Sequence, residues 1–184
     1  GREATDASED PAYGDMMERV AQLRPRGLLL AHLRKASIGG VARENTQPFL
    51  HGPWAFAHNG TIFNFQSPVK LKLHGDTDSE RYFKALVERV EGGLPVRDAV
   101  ADLTSWIRTR HDFTSLTFIM ADGQNLYGYR EYSREEDYYT LNYCKVQDAL
   151  LLSQEPVAEG PWTPVGSRQL MTVTPDLAVS LRQL

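Results

Sequence analysis

The hydrophobic positions of this chain change their spacing twice. Residues 1–14 are polar and acidic, with Pro11 and Gly14 as breakers, and read as loop. Met16, Val20 and Leu23 then fall on one face behind Asp15, which predicts a short helix closed by Pro25 and Gly27. LLLAHLR (28–34) is a short apolar run and predicts a buried strand. Residues 35–53 carry Gly39, Gly40, Asn45, Pro48, Gly52 and Pro53, and predict a long irregular connection of the kind that is usually functional or disordered. WAFAHNG (54–60) predicts a second short strand that stops at Asn59-Gly60.

From residue 77 the period becomes helical. Thr77 and Glu80 form a capping-box pattern, and Tyr82, Phe83, Leu86, Val87 and Val90 follow on one face until Gly92 and Gly93. After Pro95, Val96, Val100, Leu103 and Ile107 predict a second helix. From Phe113 the texture is that of strands: FTSLTFIMA, a turn at Asp122-Gly123, NLYGYREY, then YYTLNYCKV, ALLLSQ, RQLMTV and LAVSL. Two early strands, two helices and a run of strands make an α+β pattern with an antiparallel component. No repeat or low-complexity linker divides the 184 residues, so a single domain over 1–184 is expected.

Composition narrows the function. Apolar residues make up 41% of the chain, enough for a core. Twenty basic against 24 acidic side chains give a net charge of −4, which argues against a dedicated nucleic-acid binder. No apolar stretch approaches the roughly 18 residues that suggest a membrane span. The acidic first ten residues are unlike a secretory signal. The one cysteine, Cys144, rules out an internal disulfide, and a cytoplasmic setting is expected.

Three clusters carry candidate chemistry. His32 and Arg34 share a face at the end of the first predicted strand, where a guanidinium suits carboxylate capture. The plainer reading is a structural ion pair and a core histidine. His58-Asn59-Gly60 combines a side-chain amide with a glycine N–H, one way to build an oxyanion hole, although Asn-Gly alone also signals a hairpin turn. Asp76, Asp78 and Glu80 open the first long helix, where acids complement the helix dipole and where one could meet a substrate ammonium. The five histidines show no i, i+4 pair and no neighbouring cysteine pairs, so no metal site is expected. Phosphate-loop and dinucleotide glycine patterns are absent, and Cys144 reads as a buried, inert thiol.

Together, LLLAHLRKASIGGVARENTQPF, WAFAHNGTIFN and HGDTDSERYF resemble the glutaminase core of the class II glutamine amidotransferases, which are N-terminal-nucleophile hydrolases. The resemblance is clear over residues 28–90 and looser through LLSQEPV and the Trp162 region. "RKAS" is nearer the stand-alone branch than the synthase-fused one. The resemblance implies a four-layer α/β/β/α sandwich and no cofactor. It implies that Arg34 binds the α-carboxylate of glutamine or another small γ-glutamyl molecule, and Asp78 its α-amino group. Asn59 and Gly60 would form the oxyanion hole, with Ser37 near the substrate.

Gln47 departs from the histidine many relatives carry, and Ile38 from that of the synthase-fused branch. The family nucleophile, an N-terminal cysteine, has no counterpart, because residue 1 is glycine. The expectation is that a missing N-terminal segment or companion chain supplies it, so that this chain alone is inactive. The alternatives are a catalytically dead γ-glutamyl-binding module, a structural partner subunit of the same fold, or a role taken over by Cys144.

Overall fold

Alternation along the strands sets the layers of this protein, seen here in a computed structural model. The structure describes residues 38–184 and 27–33, together with Asp15, Glu18, Arg19 and Gln22, which are helical. The predicted helix at 16–23 otherwise lies outside the described residues, as do the candidate residues Arg34 and Ser37.

In chain order the elements are a 3₁₀ turn (Arg43–Asn45), β1 (Phe49–His51), β2 (Trp54–Asn59), α1 (Asp78–Glu91), α2 (Val96–Arg108), β3 (Thr117–Ala121), β4 (Leu126–Arg130), β5 (Asn142–Val146), β6 (Ala149–Ser153), β7 (Thr163–Pro164), β8 (Gln169–Val173) and β9 (Val179–Gln183). A six-stranded sheet runs β1-β2-β3-β4-β8-β9 and a three-stranded sheet runs β6-β5-β7. All of their pairings are antiparallel.

Side chains two apart share a face of a strand. Phe56, Phe118, Met120, Tyr127, Tyr129 and Leu170 therefore pack with the buried faces of α1 and α2. On the opposite face, Ile119, Leu126, Met171 and Val173 pack with Leu141, Tyr143, Leu150 and Leu152 of the small sheet and its approach. Helices, large sheet and small sheet are three successive layers of the expected α+β sandwich. Gly128, in the middle of β4, lets the sheets meet closely: a Cβ there would lie 2.8 Å from Leu152 Cδ2 and 3.1 Å from Leu141 Cδ2. A buried carboxylate, Glu131, ties α2 to the sheet through Arg108 Nη1 at 2.9 Å and Tyr129 OH at 2.6 Å.

The first predicted strand is not one. Residues 28–33 have no regular structure, and Leu28, Leu29 and Leu33 are 42%, 62% and 74% exposed. Nor can this run be the neighbour of β2. One edge of β2 pairs with β3 along Ala55–Asn59, and the other pairs with β1 over Trp54–Phe56. Beyond β1 the same edge is completed by a side chain. Gln47 stands opposite His58 in the continuing register, where its Oε1 accepts from His58 N at 2.6 Å and its Nε2 donates to His58 O at 3.3 Å. A side-chain amide thus performs both halves of a ladder pair. The region 35–53, expected to be irregular, also contains β1 and the 3₁₀ turn. Asn59-Gly60 does not close a hairpin, since the next strand of the chain to pair with β2 is β3.

Candidate active site

The end of β2 is fastened to the start of α1. Thr77 caps the helix, its Oγ1 accepting from Glu80 N at 3.1 Å. Glu80 reaches back past the cap and takes His74 N at 3.0 Å and Gly75 N at 2.7 Å, which orders the approach to the helix. Asp76 and Asn45 form a reciprocal pair, with Asn45 Nδ2 donating to Asp76 Oδ1 at 2.7 Å and Asp76 N to Asn45 Oδ1 at 3.1 Å. Gly75 and Gly39 lie where any side chain would collide with this pair: Cβ atoms there would stand 2.2 Å from Asn45 Oδ1 and 2.6 Å from Asp76 Oδ1 respectively.

Two bonds join the helix to β2 and the segment just after it. Asp78 Oδ2 accepts from Ile62 N at 2.7 Å, and Ser79 Oγ lies 2.9 Å from His58 Nδ1. His58 Nε2 lies 3.0 Å from Ser115 O, a carbonyl that can only accept, so Nε2 carries the proton and Nδ1 accepts from the Ser79 hydroxyl. Burial lowers the His58 pKa, against the raising effects of the Asp78 charge and the Ser115 bond, and the ring is held neutral. It acts as a brace between β2, the entry to β3 and the first turn of α1.

That brace predicts a pH dependence. The unfolded chain takes up a proton at His58 near the ordinary value of about 6.5, whereas the folded chain resists it. The stability is therefore present above that pH and declines as pH falls below it. Denaturant midpoints should drop on acidification from about pH 6.5, and His58→Gln should flatten that part of the profile. An unchanged slope in the variant would remove His58 as its source.

Of the sequence-predicted site residues, Asn59 and Gly60 lie at the end of β2, and Asp78 lies in the first turn of α1, bonded to Ile62 N two residues beyond Gly60. Gly60 passes so close to β3 that an added Cβ would sit 2.1 Å from Ser115 O and 2.9 Å from His58 Nε2, so glycine is required there. Asn59 points to the other layer, and its Nδ2 donates to Gln154 Oε1 at 2.6 Å. Asp78 is buried at the first turn of α1. Two clefts of about 340 and 430 Å³ open alongside, the first lined by residues including Arg43, His74 and Lys84, the second by residues including Asn45, Gly75 and Asp76. Neither is lined by Asn59, Gly60 or Asp78, so they flank the junction instead of covering it. Sequence reasoning noted Gln47 only as a departure from the family pattern, and it missed the roles of Ser79 and Gln154. Ser79 had a signal, since it follows the cap and Asp78, whereas Gln154 had none.

A family model described as "Glutamine amidotransferases class-II" matches residues 5–147. The Escherichia coli protein named "Putative glutamine amidotransferase YafJ" is 32% identical over 65% of this chain and 52% of its own length. A Methanocaldococcus jannaschii protein, MJ1515, is 28% identical over 62% of this chain and 34% of its own length. The chain thus spans about a third to a half of these relatives. Among solved structures, a glutamine aminotransferase class-II domain protein from Silicibacter pomeroyi has a TM-score of 0.68 at 20% identity, covering 100% of this chain and 84% of that one. The glutamine phosphoribosylpyrophosphate amidotransferase from Bacillus subtilis has a TM-score of 0.60 at 16% identity, covering 83% of this chain and 34% of that one. These two likenesses speak for the fold, and the family match for the sequence: the chain belongs to the class II glutamine amidotransferases.

Proposed function

We propose that this chain is the substrate-binding and oxyanion-stabilising part of a glutaminase, γ-glutamyl amide hydrolase or amidotransferase, with the nucleophilic cysteine on an N-terminal segment outside the present sequence. The carrying observation is the junction itself, where His58 and Ile62, on either side of Asn59-Gly60, are bonded to the helix turn that bears Asp78. In the proposed reaction the thiolate attacks the γ-carboxamide carbon, and the carbonyl electrons move onto oxygen, where the Asn59 amide and the Gly60 N–H stabilise them. The tetrahedral intermediate collapses, the C–N bond breaks, and protonated nitrogen leaves as ammonia or an amine. Water then cleaves the γ-glutamyl thioester, releasing the acid and restoring the thiol. An α-amino group, with a pKa of about 7.7–8.0, suits the base near neutral pH. Asp78 and Arg34 would hold the α-amino and α-carboxylate groups, with Ser37 beside them.

Cys144 makes a poor substitute nucleophile. It is 1% exposed in β5, and Gly160 packs so closely on it that a Cβ there would stand 2.7 Å from its Sγ. The cytoplasmic setting follows from the same cysteine count and belongs to this proposal.

The test is labelling with a glutamine analogue bearing a γ-electrophile. Full-length protein should be labelled at an N-terminal cysteine and should release glutamate from glutamine, while the 184 residues alone should do neither. Full glutaminase activity from the 184-residue chain would overturn the proposal. Glutamine binding without turnover by the full-length protein would favour the binding-module alternative.

A further inference from the structure

We infer that Gln154 is a positioning residue that fixes which atom of the Asn59 amide faces the substrate, an inference that rests on the reading of Asn59 as an oxyanion donor. The two ends of an asparagine amide are nearly the same size and opposite in polarity. Turned one way, Asn59 would offer hydrogens to a developing negative charge; turned the other way, it would present a carbonyl oxygen and repel it. Something must set the orientation.

The chain of polarity begins at a group that cannot flip. Tyr138 O, a main-chain carbonyl, only accepts, and Gln154 Nε2 donates to it at 2.9 Å. That bond turns Gln154 Oε1 toward Asn59, where it accepts from Nδ2 at 2.6 Å. An acceptor at that place requires the Asn59 nitrogen to face it. The nitrogen carries two hydrogens; Gln154 takes one, which fixes the amide plane and leaves the second for a ligand oxygen.

Gln154 is itself held by its main chain. It follows β6 directly, and its carbonyl receives Thr140 Oγ1 at 2.6 Å and Asn142 Nδ2 at 2.9 Å. The donor on the large sheet is therefore oriented from the small sheet, by a residue fixed at both its main chain and its side chain. Preorganised donors spend no reorganisation at the moment of reaction, which is where their effect on rate arises.

The experiment uses the full-length, active enzyme with glutamine. Gln154→Leu should lower kcat roughly ten- to hundredfold, the scale of a misplaced catalytic group, with KM within about twofold. Asn59→Ala should be slower still, and the Asn59→Ala/Gln154→Leu double variant should be no slower than Asn59→Ala alone, because Gln154 acts through Asn59. A double variant slowed by the product of the two single effects would overturn the inference, as would Gln154→Leu with unchanged kcat beside a slow Asn59→Ala. If Asn59→Ala itself left kcat unchanged, the oxyanion reading would fall and this inference with it. NMR of the Asn59 side-chain NH₂ supplies a readout that needs no turnover. Wild type should show one of the two protons at a hydrogen-bonded shift, and Gln154→Leu should lose it. The same spectrum in both proteins would overturn the inference.

Discussion

Replacing Asn59 with alanine in the full-length enzyme is expected to lower kcat by about 10²–10³, the usual effect of removing one oxyanion-hole donor. KM should change little, since the donor acts on charge that develops only in the transition state. The substitution is mild for the fold. The lost side chain gives up its hydrogen bond to Gln154, and the main-chain pairing of Asn59 with Thr117 is unaffected. If instead KM rises and kcat holds, Asn59 is a binding residue and the assignment is wrong.

The second large effect is on substrate selectivity. Asp78→Asn keeps the shape of the side chain and an oxygen able to accept from Ile62 N, now at 2.7 Å from Oδ2, but removes the charge. Wild type should strongly prefer glutamine over the analogue lacking the α-amino group, because a charge-assisted bond is lost and a desolvated carboxylate is left without its partner. Such losses typically cost about 1–3 kcal/mol and more for charged groups, which corresponds to a preference of roughly fivefold to over a hundredfold in kcat/KM. The variant should lose most of that preference. Equal discrimination in both proteins would remove Asp78 from the site. Asp78→Ala is the poorer probe, because it also strands the Ile62 N–H that links helix to strand.

How much of this was legible in the sequence follows from the range of each interaction. Both long helices were readable because their determinants are local: Thr77 caps the first as the pattern predicts, although the Glu80 carboxylate takes His74 N and Gly75 N instead, and Val100, Leu103 and Ile107 are all buried in the second. The later strands were readable from their alternation and from the turn at Asp122, whose Oδ1 accepts from Gln124 N and Asn125 N. LLLAHLR shows the limit of that reasoning. An apolar run states a preference for burial but does not name a partner, and both edges of β2 are already occupied. β1 escaped notice because three residues between Pro48 and Gly52 carry too little periodicity to register. Of the candidate site, Asn59, Gly60 and Asp78 were visible as motifs. The side chains bonded around them depend on strand register and on the meeting of two sheets: Gln47 opposite His58, Ser79 on its ring, and Gln154 across the layers. No window along the chain contains that information.

Gly128 gives the small sheet a second role, as a gauge. With no side chain at the centre of β4, Leu152 and Leu141 settle against the main chain, and this sets the thickness of the sandwich between the sheets. Leu152 stands two residues before Gln154, so the same dimension governs how far the Gln154 amide must reach to meet Asn59 at 2.6 Å. Cores are packed as densely as organic crystals, and a methyl inserted there is accommodated by displacement and not by compression. Under the proposed function, the placing of the Asn59 amide is thus set in part by an apolar contact between the sheets. Alignment at the rim is inherited from the spacing in the middle.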